Sequence, residues 1–285
     1  MVQRYEEMLQ QLIDHALAED IGDGDHSTLS CIPADAKGIA VLKIKDSGVL
    51  AGMHVAEAVF KTIQPSIVFK SFKSDGDLVR PGDNAFEVEA DVHTILKCER
   101  VVLNCMQRMS GIATLTKKYS DQIKGYAARL LDTRKTTPNF RLLEKEAVRI
   151  GGGFNHRFAL YDMIMLKDNH IDYCGGIEKA LDLAWNYVQT VKPGIKIEVE
   201  TRSLQDVQRV LASGKADRIM LDNFTPDQLK LAIELIDGKI ETEASGGIQL
   251  SNIKDFAATG VDFISVGALI HQAQSLDLSL KAKIV

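Results

Sequence analysis

From Glu200 onward the chain repeats in a way that few folds can accommodate. Runs ending at Glu200 (IKIEVE), Asp222 (RIMLD), Ser245 (IETEAS) and Gly267 (FISVG) recur at intervals of 22, 23 and 22 residues, the length of one strand and one helix. Helical segments fill the gaps, among them LQDVQRVLAS, PDQLKLAIELI and LSNIKDFAATG. Two earlier runs, ARLLDT ending at Thr133 and MIMLK ending at Lys167, extend the series to six strands, with IEKALDLAWNYVQTV as another helix. Strands read as apolar throughout belong to a parallel sheet covered by helices. Each run then finishes in a charged or small polar residue: Arg134, Lys167, Glu200, Asp222, Ser245 and Ser265. Functional groups gather at the carboxyl ends of strands both in an α/β barrel and in the crevice of a doubly wound sheet. Six successive polar strand ends favour the barrel, because a crevice would use fewer. Only six strands imply a barrel that is incomplete or slightly open.

The first 110 residues have a different, mixed texture. An amphipathic helix over about 3–19 precedes the turn-rich stretch EDIGDGDHST, which caps or connects. Short β-like runs follow (GIAVLKIK, SIVFKSF, NAFEVEA), separated by DSG, SDGD and RPGD turns, with MHVAEAVFKTI as a helix between them. Residues 93–122 read as one or two long helices, with Ser110-Gly111 as the break. A chain of 285 residues is long enough for a barrel-sized domain and a smaller one.

Composition excludes several function classes. A net charge of -5 argues against general affinity for nucleic acid or anionic membrane, and no apolar run approaches the ~20 residues of a membrane span. The acidic amphipathic N-terminus does not read as a signal peptide. Cys31, Cys98, Cys105 and Cys174 lack C-x-x-C spacing and read as reduced thiols, so the expected address is the cytoplasm.

Against that acidic background, residues 133–167 carry seven Lys/Arg and three acids, leaving 27 basic and 36 acidic residues elsewhere. Crowded cations repel unless an anion sits among them. Arg134 and Lys167 follow directly on apolar strands, so with Lys135 and Arg157 they form a candidate anion pocket; guanidinium groups grip carboxylate or phosphate bidentately. Arg141, Lys145 and Arg149 lie in a helical stretch with Glu144 and Glu146 and read as a solvated face. GGGFNHR (151–157) matches neither a P-loop nor a dinucleotide fingerprint, so it is a plain turn or a close approach of backbone to ligand. His156 is a candidate hydrogen-bond donor or acid/base beside Arg157. Asp168-Asn169-His170 reads equally as a helix cap or as part of the site. Glu200 and Asp222 end consecutive strands, which makes them neighbours at the mouth; their oxygens suit Mg²⁺, directly or through water, or ribose hydroxyls. SGG (245–247) and SVGA (265–268) precede helices after the last two strands, where barrels frequently place phosphate. No Cys/His spacing supports zinc, and EDIGDGDHSTLS lacks the ligand spacing of a calcium loop.

Taken together, ALAEDIGDGDHST, GVLAGM, ERVVLNCMQRMSGIATLT, DTRKTTP, GGGFNHRFALYDMIMLKDNH, EVE, IMLDN, EASGGI and ISVGALIH resemble the quinolinate phosphoribosyltransferase family of type II phosphoribosyltransferases, over nearly the whole chain. The resemblance implies an N-terminal α/β sandwich (1–110), an open, incomplete parallel α/β barrel (111–271) and a tail (272–285) packing back on the first domain. It implies transfer of phosphoribosyl from 5-phosphoribosyl-1-pyrophosphate to quinolinate with decarboxylation, Mg²⁺ dependence, and a homodimer or higher oligomer with shared active sites. Carried over by position, Arg100 reaches the partner's site and contacts quinolinate; Arg134, His156, Arg157 and Lys167 line the dicarboxylate pocket; Thr133 is a further substrate-binding residue; and Lys135 lies near the donor. Glu200 and Asp222 hold ribose hydroxyls and Mg²⁺. Ser245, Gly246, Gly247, Val266, Gly267 and Ala268 take phosphate, with His271 nearby. Lys135, Glu200 and Asp222 are the expected catalytic residues. Asn139-Phe140 after TTP, and Ile270 and Gln272 around His271, depart from the family pattern and affect loop shape near the site. Three alternatives remain: a related enzyme acting on nicotinate or another acid, a Schiff-base aldolase using Lys167, and a non-enzymatic phosphate-binding protein.

Overall fold

A computed structural model describes residues 2–283; Met1 and residues 284–285, the outer ends of the expected first domain and tail, lie outside the described residues. The chain begins α1 (Val2–Ile21), α2 (His26–Cys31), β1 (Lys37–Ile44), β2 (Gly48–Val49), α3 (Met53–Ile63), β3 (Val68–Ser71), β4 (Leu78–Val79), β5 (Asn84–Asp91) and α4 (Val92–Gln122). It continues β6 (Arg129–Leu131), α5 (Arg141–Ile150), β7 (Ile164–Leu166), α6 (Asp168–Cys174), α7 (Ile177–Thr190), β8 (Ile197–Thr201) and α8 (Leu204–Ser213). It ends β9 (Arg218–Asp222), α9 (Pro226–Ile236), β10 (Glu241–Ser245), α10 (Ile253–Ala257), β11 (Phe263–Ser265), α11 (Ala268–His271) and β12 (Leu278–Lys283).

Two compact units share the chain. The first comprises residues up to Lys117, Thr136–Gly152 and residues from Leu269; the second comprises Lys118–Lys135 and Gly153–Ala268. α5 thus packs with the first unit although it follows the expected 110/111 boundary in sequence.

In the first unit an antiparallel sheet runs β12-β1-β5-β3, so the C-terminal strand pairs with β1 through Leu42↔Leu280. Alternation along β5 (eBBiBeBi) turns Phe86 and Val88 inward, where Phe86 stacks on Phe69 at 4.5 Å between ring centres. Asp25 caps α2 by accepting from Thr28 N, which assigns the EDIGDGDHST stretch a capping role. Ser110-Gly111 does not break a helix, because α4 runs on through it. Small size at that point serves packing instead. Ser110 Oγ bonds both backbone groups of Ala51, and a Cβ on Gly111 would collide with the Gln274 backbone.

Within α5, Lys145 is not part of a solvated face. Its side chain is buried at 2 % exposure, as is Glu144 at 0 %, whereas Arg149 is exposed. Arg141 is half-buried and donates to Thr136 Oγ1. A ten-residue helix packed on most of its circumference leaves little room for solvated charge.

A second polar cluster in this unit joins α1, α3 and α5. His54 lies between Asp75 (Nδ1–Oδ2 3.2 Å) and Glu146 (Nε2–Oε2 3.3 Å), and the Tyr5 hydroxyl donates to Glu146. Burial disfavours the charged ring, but the two carboxylates outweigh it and push the His54 pKa up to about 9. A raised folded pKa gives stability that is complete below the unfolded value of about 6.5 and is lost as pH rises through about 9. The melting temperature is therefore expected to fall by about 2–4 °C between pH 6.5 and 9.5. That corresponds to roughly 1 kcal/mol once solvent screening of the partly exposed ring is allowed for. A His54→Asn variant should lose that slope in thermal scans; an unchanged slope would assign the pH dependence to other groups.

The second unit is an all-parallel sheet ordered β6-β11-β10-β9-β8-β7. Each strand from β7 to β11 neighbours the next in sequence, and β11 closes back on β6. A doubly wound sheet would reverse direction partway. This one never does, so it is a singly wound barrel wall, open between β6 and β7. Phe154 bridges to Leu131 as a strand fragment beside β6. The strands are less apolar than the sequence reading holds. β8 is buried at all five positions although it contains Glu198 and Glu200, and β10 buries Thr242 and Glu243.

Candidate active site

The period of two along a strand decides what faces the interior. Register aligns Met165 with Glu198, Glu198 with Arg218, Glu241 with Arg218, Glu243 with Met220, and Ser245 with Asp222. One face of the sheet therefore carries Met165 and Lys167, Glu198 and Glu200, Arg218, Met220 and Asp222, and Glu241, Glu243 and Ser245. The later member of each set stands at the carboxyl end, where barrel enzymes work.

At that end Glu200, Asp222, Asp168 and Lys167 influence one another. Burial raises the Glu200 pKa, and Asp222 and Asp168 raise it further while Lys167 opposes them. Burial likewise raises that of Asp222, against hydrogen bonds from Asn223 (2.6 Å) and Ser245. Glu200 and Asp222 are hard oxygen donors of the kind that suit a divalent cation drawing its remaining ligands from water and substrate, without a third protein donor close to both among the described residues. Asp168-Asn169-His170 opens α6: Lys167 is the N-cap, and its N–H donates to His170 Nδ1 at 3.0 Å. Asp168 thus belongs both to the cap and to the acidic group, a role the sequence leaves open.

The two glycine-containing turns differ from each other. Gly246 has φ +91°, and a Cβ there would press on the Asn223 side chain and lie 2.9 Å from its N. Asn223, itself at φ 58°, donates its N–H to Ser245 O at 2.8 Å. Gly246 therefore locks the ends of β9 and β10 together. Gly247 (φ +64°) has nothing within 4 Å of a Cβ position and leaves backbone open to a ligand. In the other turn Val266 is buried and spends its N–H on Leu131 O (3.0 Å). Gly267 and Ala268 follow at the start of α11, which ends at the exposed His271 of the first unit.

On the other side of the site, the 153–157 segment is held by Asp132, which is fully buried and accepts from His156 N at 2.8 Å and Asn155 Nδ2 at 2.5 Å. Arg157 is half-buried and donates to Met163 O at 3.0 Å. Burial, and then the neighbouring Arg134 guanidinium, lower its pKa. Thr133 Oγ1 accepts from Lys135 N at 3.1 Å, and Lys135 and Lys167 are exposed. Arg100 is exposed on α4, in the first unit.

His156 is the residue whose surroundings the sequence least anticipates. Its side chain is 4 % exposed, and Nε2 lies 2.9 Å from Glu198 and 3.2 Å from Glu243, both fully buried. Arg218 donates to Glu243 at 3.1 Å and to Glu241 at 3.0 Å, with its guanidinium 4.0 Å above the Phe263 ring centre. Burial opposes a charged His156 and the two carboxylates favour it, but the Arg157 N–H aimed at Nδ1 keeps that nitrogen unprotonated, so the ring's proton sits on Nε2 facing the carboxylates. Burial, and then Glu243, raise the Glu198 pKa to about 7, so the cluster shares its protons. Among the described residues these three are the group whose donor atoms lie close enough, within 4.8 Å, to hold a metal ion. Arg218 already supplies the positive charge that an ion would bring.

Comparison with known proteins places this geometry. The family model for the quinolinate phosphoribosyl transferase N-terminal domain matches residues 25–110, and that for the C-terminal domain matches 112–281. The chain is 45% identical to the chloroplastic nicotinate-nucleotide pyrophosphorylase [carboxylating] of Oryza sativa subsp. japonica, over 96% of this chain and 77% of that one. It is 41% identical to the probable enzyme of that name from Bacillus subtilis, over 95% and 92%. The solved NadC structure from Streptococcus pyogenes superposes with a TM-score of 0.91 at 40% identity, covering 97% of both chains. With both domain models matched in order and the whole fold shared, this chain belongs to the quinolinate phosphoribosyltransferase family.

Proposed function

We propose that the barrel mouth transfers phosphoribosyl from 5-phosphoribosyl-1-pyrophosphate to the ring nitrogen of quinolinate, releasing pyrophosphate and CO₂ and leaving nicotinate mononucleotide. The observation that carries this reading is the division of the mouth into two halves of opposite charge. Arg134 and Arg157 suit a dicarboxylate, Lys167 stands beside the acids where it can reach either substrate, and Glu200, Asp222 and the backbone at Gly247 suit a sugar phosphate and its cation. Attack by the pyridine nitrogen needs no general base, because that nitrogen carries no proton when neutral. The residues' work is positioning and charge management. Glu200 and Asp222 accept from ribose hydroxyls and offset positive charge on an oxocarbenium-like ribose, and Lys135 faces the departing pyrophosphate. Glu200 and Asp222, with Asp168 beside them, would hold Mg²⁺, which would supply charge neutralisation on the pyrophosphate. Once the ring nitrogen is quaternary, its positive charge stabilises the electron pair left on C2 as the C2–carboxylate bond breaks and CO₂ departs, and C2 then takes up a proton from solvent.

The same reading makes the protein a homodimer or higher oligomer with Arg100 serving the partner's site. The edge strand β7 supports this: it carries an apolar pocket of about 330 Å³ lined by Ile164, Leu166, Ala180, Leu183, Ala184 and Tyr187. None of the described helices is long and apolar enough to cross a membrane, and all four cysteines stand outside disulfides, which suits a reducing compartment such as the cytoplasm. The deciding assay measures pyrophosphate and CO₂ from quinolinate and the phosphoribosyl donor, with and without Mg²⁺. Equimolar release that depends on Mg²⁺ is expected. Turnover of nicotinate without CO₂ would overturn the substrate assignment, and turnover indifferent to Mg²⁺ would overturn the cation.

A further inference from the structure

We propose that Glu198 and Glu243 are positioning residues for the dicarboxylate pocket: together they hold the His156 ring and, through the His156–Arg157 peptide, set the direction from which Arg157 meets an anion. This rests on the quinolinate reading of the same site. Both carboxylates are fully buried, and they approach one nitrogen from two different strands, β8 and β10. An imidazole whose Nε2 faces carboxylates on two sides, at 2.9 and 3.2 Å, cannot turn about its Cβ–Cγ bond without giving up a buried polar contact, the costly kind to lose. The opposite ring nitrogen, Nδ1, lies 2.6 Å from the Arg157 N–H, so ring plane and Arg157 backbone are fixed together. Arg218 anchors Glu243 from beneath, and its stacking on Phe263 keeps the carboxylate from following the ring.

The charges point the same way. Arg134 repels the charged Arg157, and Glu198 is a carboxylate whose field favours it. A glutamate two residues below the mouth thus keeps two guanidinium groups facing one substrate. The arrangement explains why acids occur within strands that otherwise face a packed interior, where an unpaired carboxylate is expensive.

The test uses the full-length enzyme with Glu198→Gln and Glu243→Gln, which preserve shape and remove charge. KM for quinolinate is expected to rise tenfold or more in each, while KM for the phosphoribosyl donor stays within twofold and the melting temperature shows a folded protein. Equal KM values for quinolinate in wild type and in both variants would overturn the proposal, as would a parallel rise in both KM values. A wild type that does not turn over quinolinate would overturn the functional reading instead. If the variants do not fold, a crystal structure of the wild type with quinolinate decides. His156 Nε2 should remain within 3.5 Å of Glu198 or Glu243; a ring swung onto the ligand, or one equivalent of metal bound between the three side chains by elemental analysis, would overturn the inference.

Discussion

Arg157→Ala is expected to lower kcat/KM for quinolinate by about 30- to 5000-fold, the equivalent of ~2–5 kcal/mol for truncating one partner of a desolvated charge pair. The size follows from the position of the guanidinium. It is half-buried, held by Met163 O, and pressed by Arg134 strongly enough that burial and repulsion together lower its pKa. Both penalties are relieved when a dianion enters, so binding and transition state gain from the same contact. Arg157→Lys keeps the charge but loses the fork that meets a carboxylate edge-on, and should fall between alanine and wild type. The KM of the phosphoribosyl donor should stay within a few-fold, because its carboxylate and backbone contacts lie on other strands. Steady-state kinetics with each substrate varied would check this. A quinolinate kcat/KM within a few-fold of wild type would mean that Arg157 does not line the pocket.

Much of this site can be read directly from the chain because strand ends announce themselves. Lys167, Glu200, Asp222 and Ser245 stand at or beside the ends of regular strands, the last three at intervals of 22 and 23 residues, and the barrel places such positions at one end whatever the loops do. Sandwich strands and α3 are equally plain, since period-two and period-3.6 patterns there meet no competing demand. What escapes the eye are residues whose role depends on a partner distant in sequence. Glu198 and Glu243 each stand two residues before a mouth residue and so share its face, a signal present in IEVE and ETEAS but masked by reading those strands as apolar. Only the register of β8, β9 and β10 shows that His156 is what they meet. Lys145 misleads for a related reason. Its helix looks amphipathic with charges outward, yet it is surrounded on most sides within the first unit. Gly111 reads as a helix breaker from propensity alone, but its lack of a side chain is used by the backbone at 274–275.

Glu144→Ala is expected to be the most damaging single change to stability, costing about 3–5 kcal/mol and lowering the melting temperature by on the order of 10 °C. Glu144 is fully buried on α5 and accepts four hydrogen bonds: from Arg108 Nε (3.0 Å) and NH2 (2.9 Å), and from Thr137 N (2.8 Å) and Oγ1 (2.9 Å). Truncation leaves a mostly buried guanidinium without its counter-charge and strands the Thr137 N–H two residues after Lys135. Glu144→Gln keeps the shape and one acceptor, so it should cost less, about 1–3 kcal/mol. The Arg108→Met/Glu144→Leu double variant distinguishes charge from connectivity. A simple buried ion pair can often be replaced by apolar residues at little cost. Arg108 does more than pair, because it also donates to Ile270 O (2.8 Å) and Ala273 O (3.0 Å), carbonyls flanking His271. The double variant removes the unpaired charge but takes the guanidinium donors away from both carbonyls, leaving Ile270 O only the Ala273 N–H, so it should recover part of the loss and remain below wild type in denaturant unfolding. Recovery to full wild-type stability would mean that the carbonyls contribute nothing and that Arg108 is only a counter-ion.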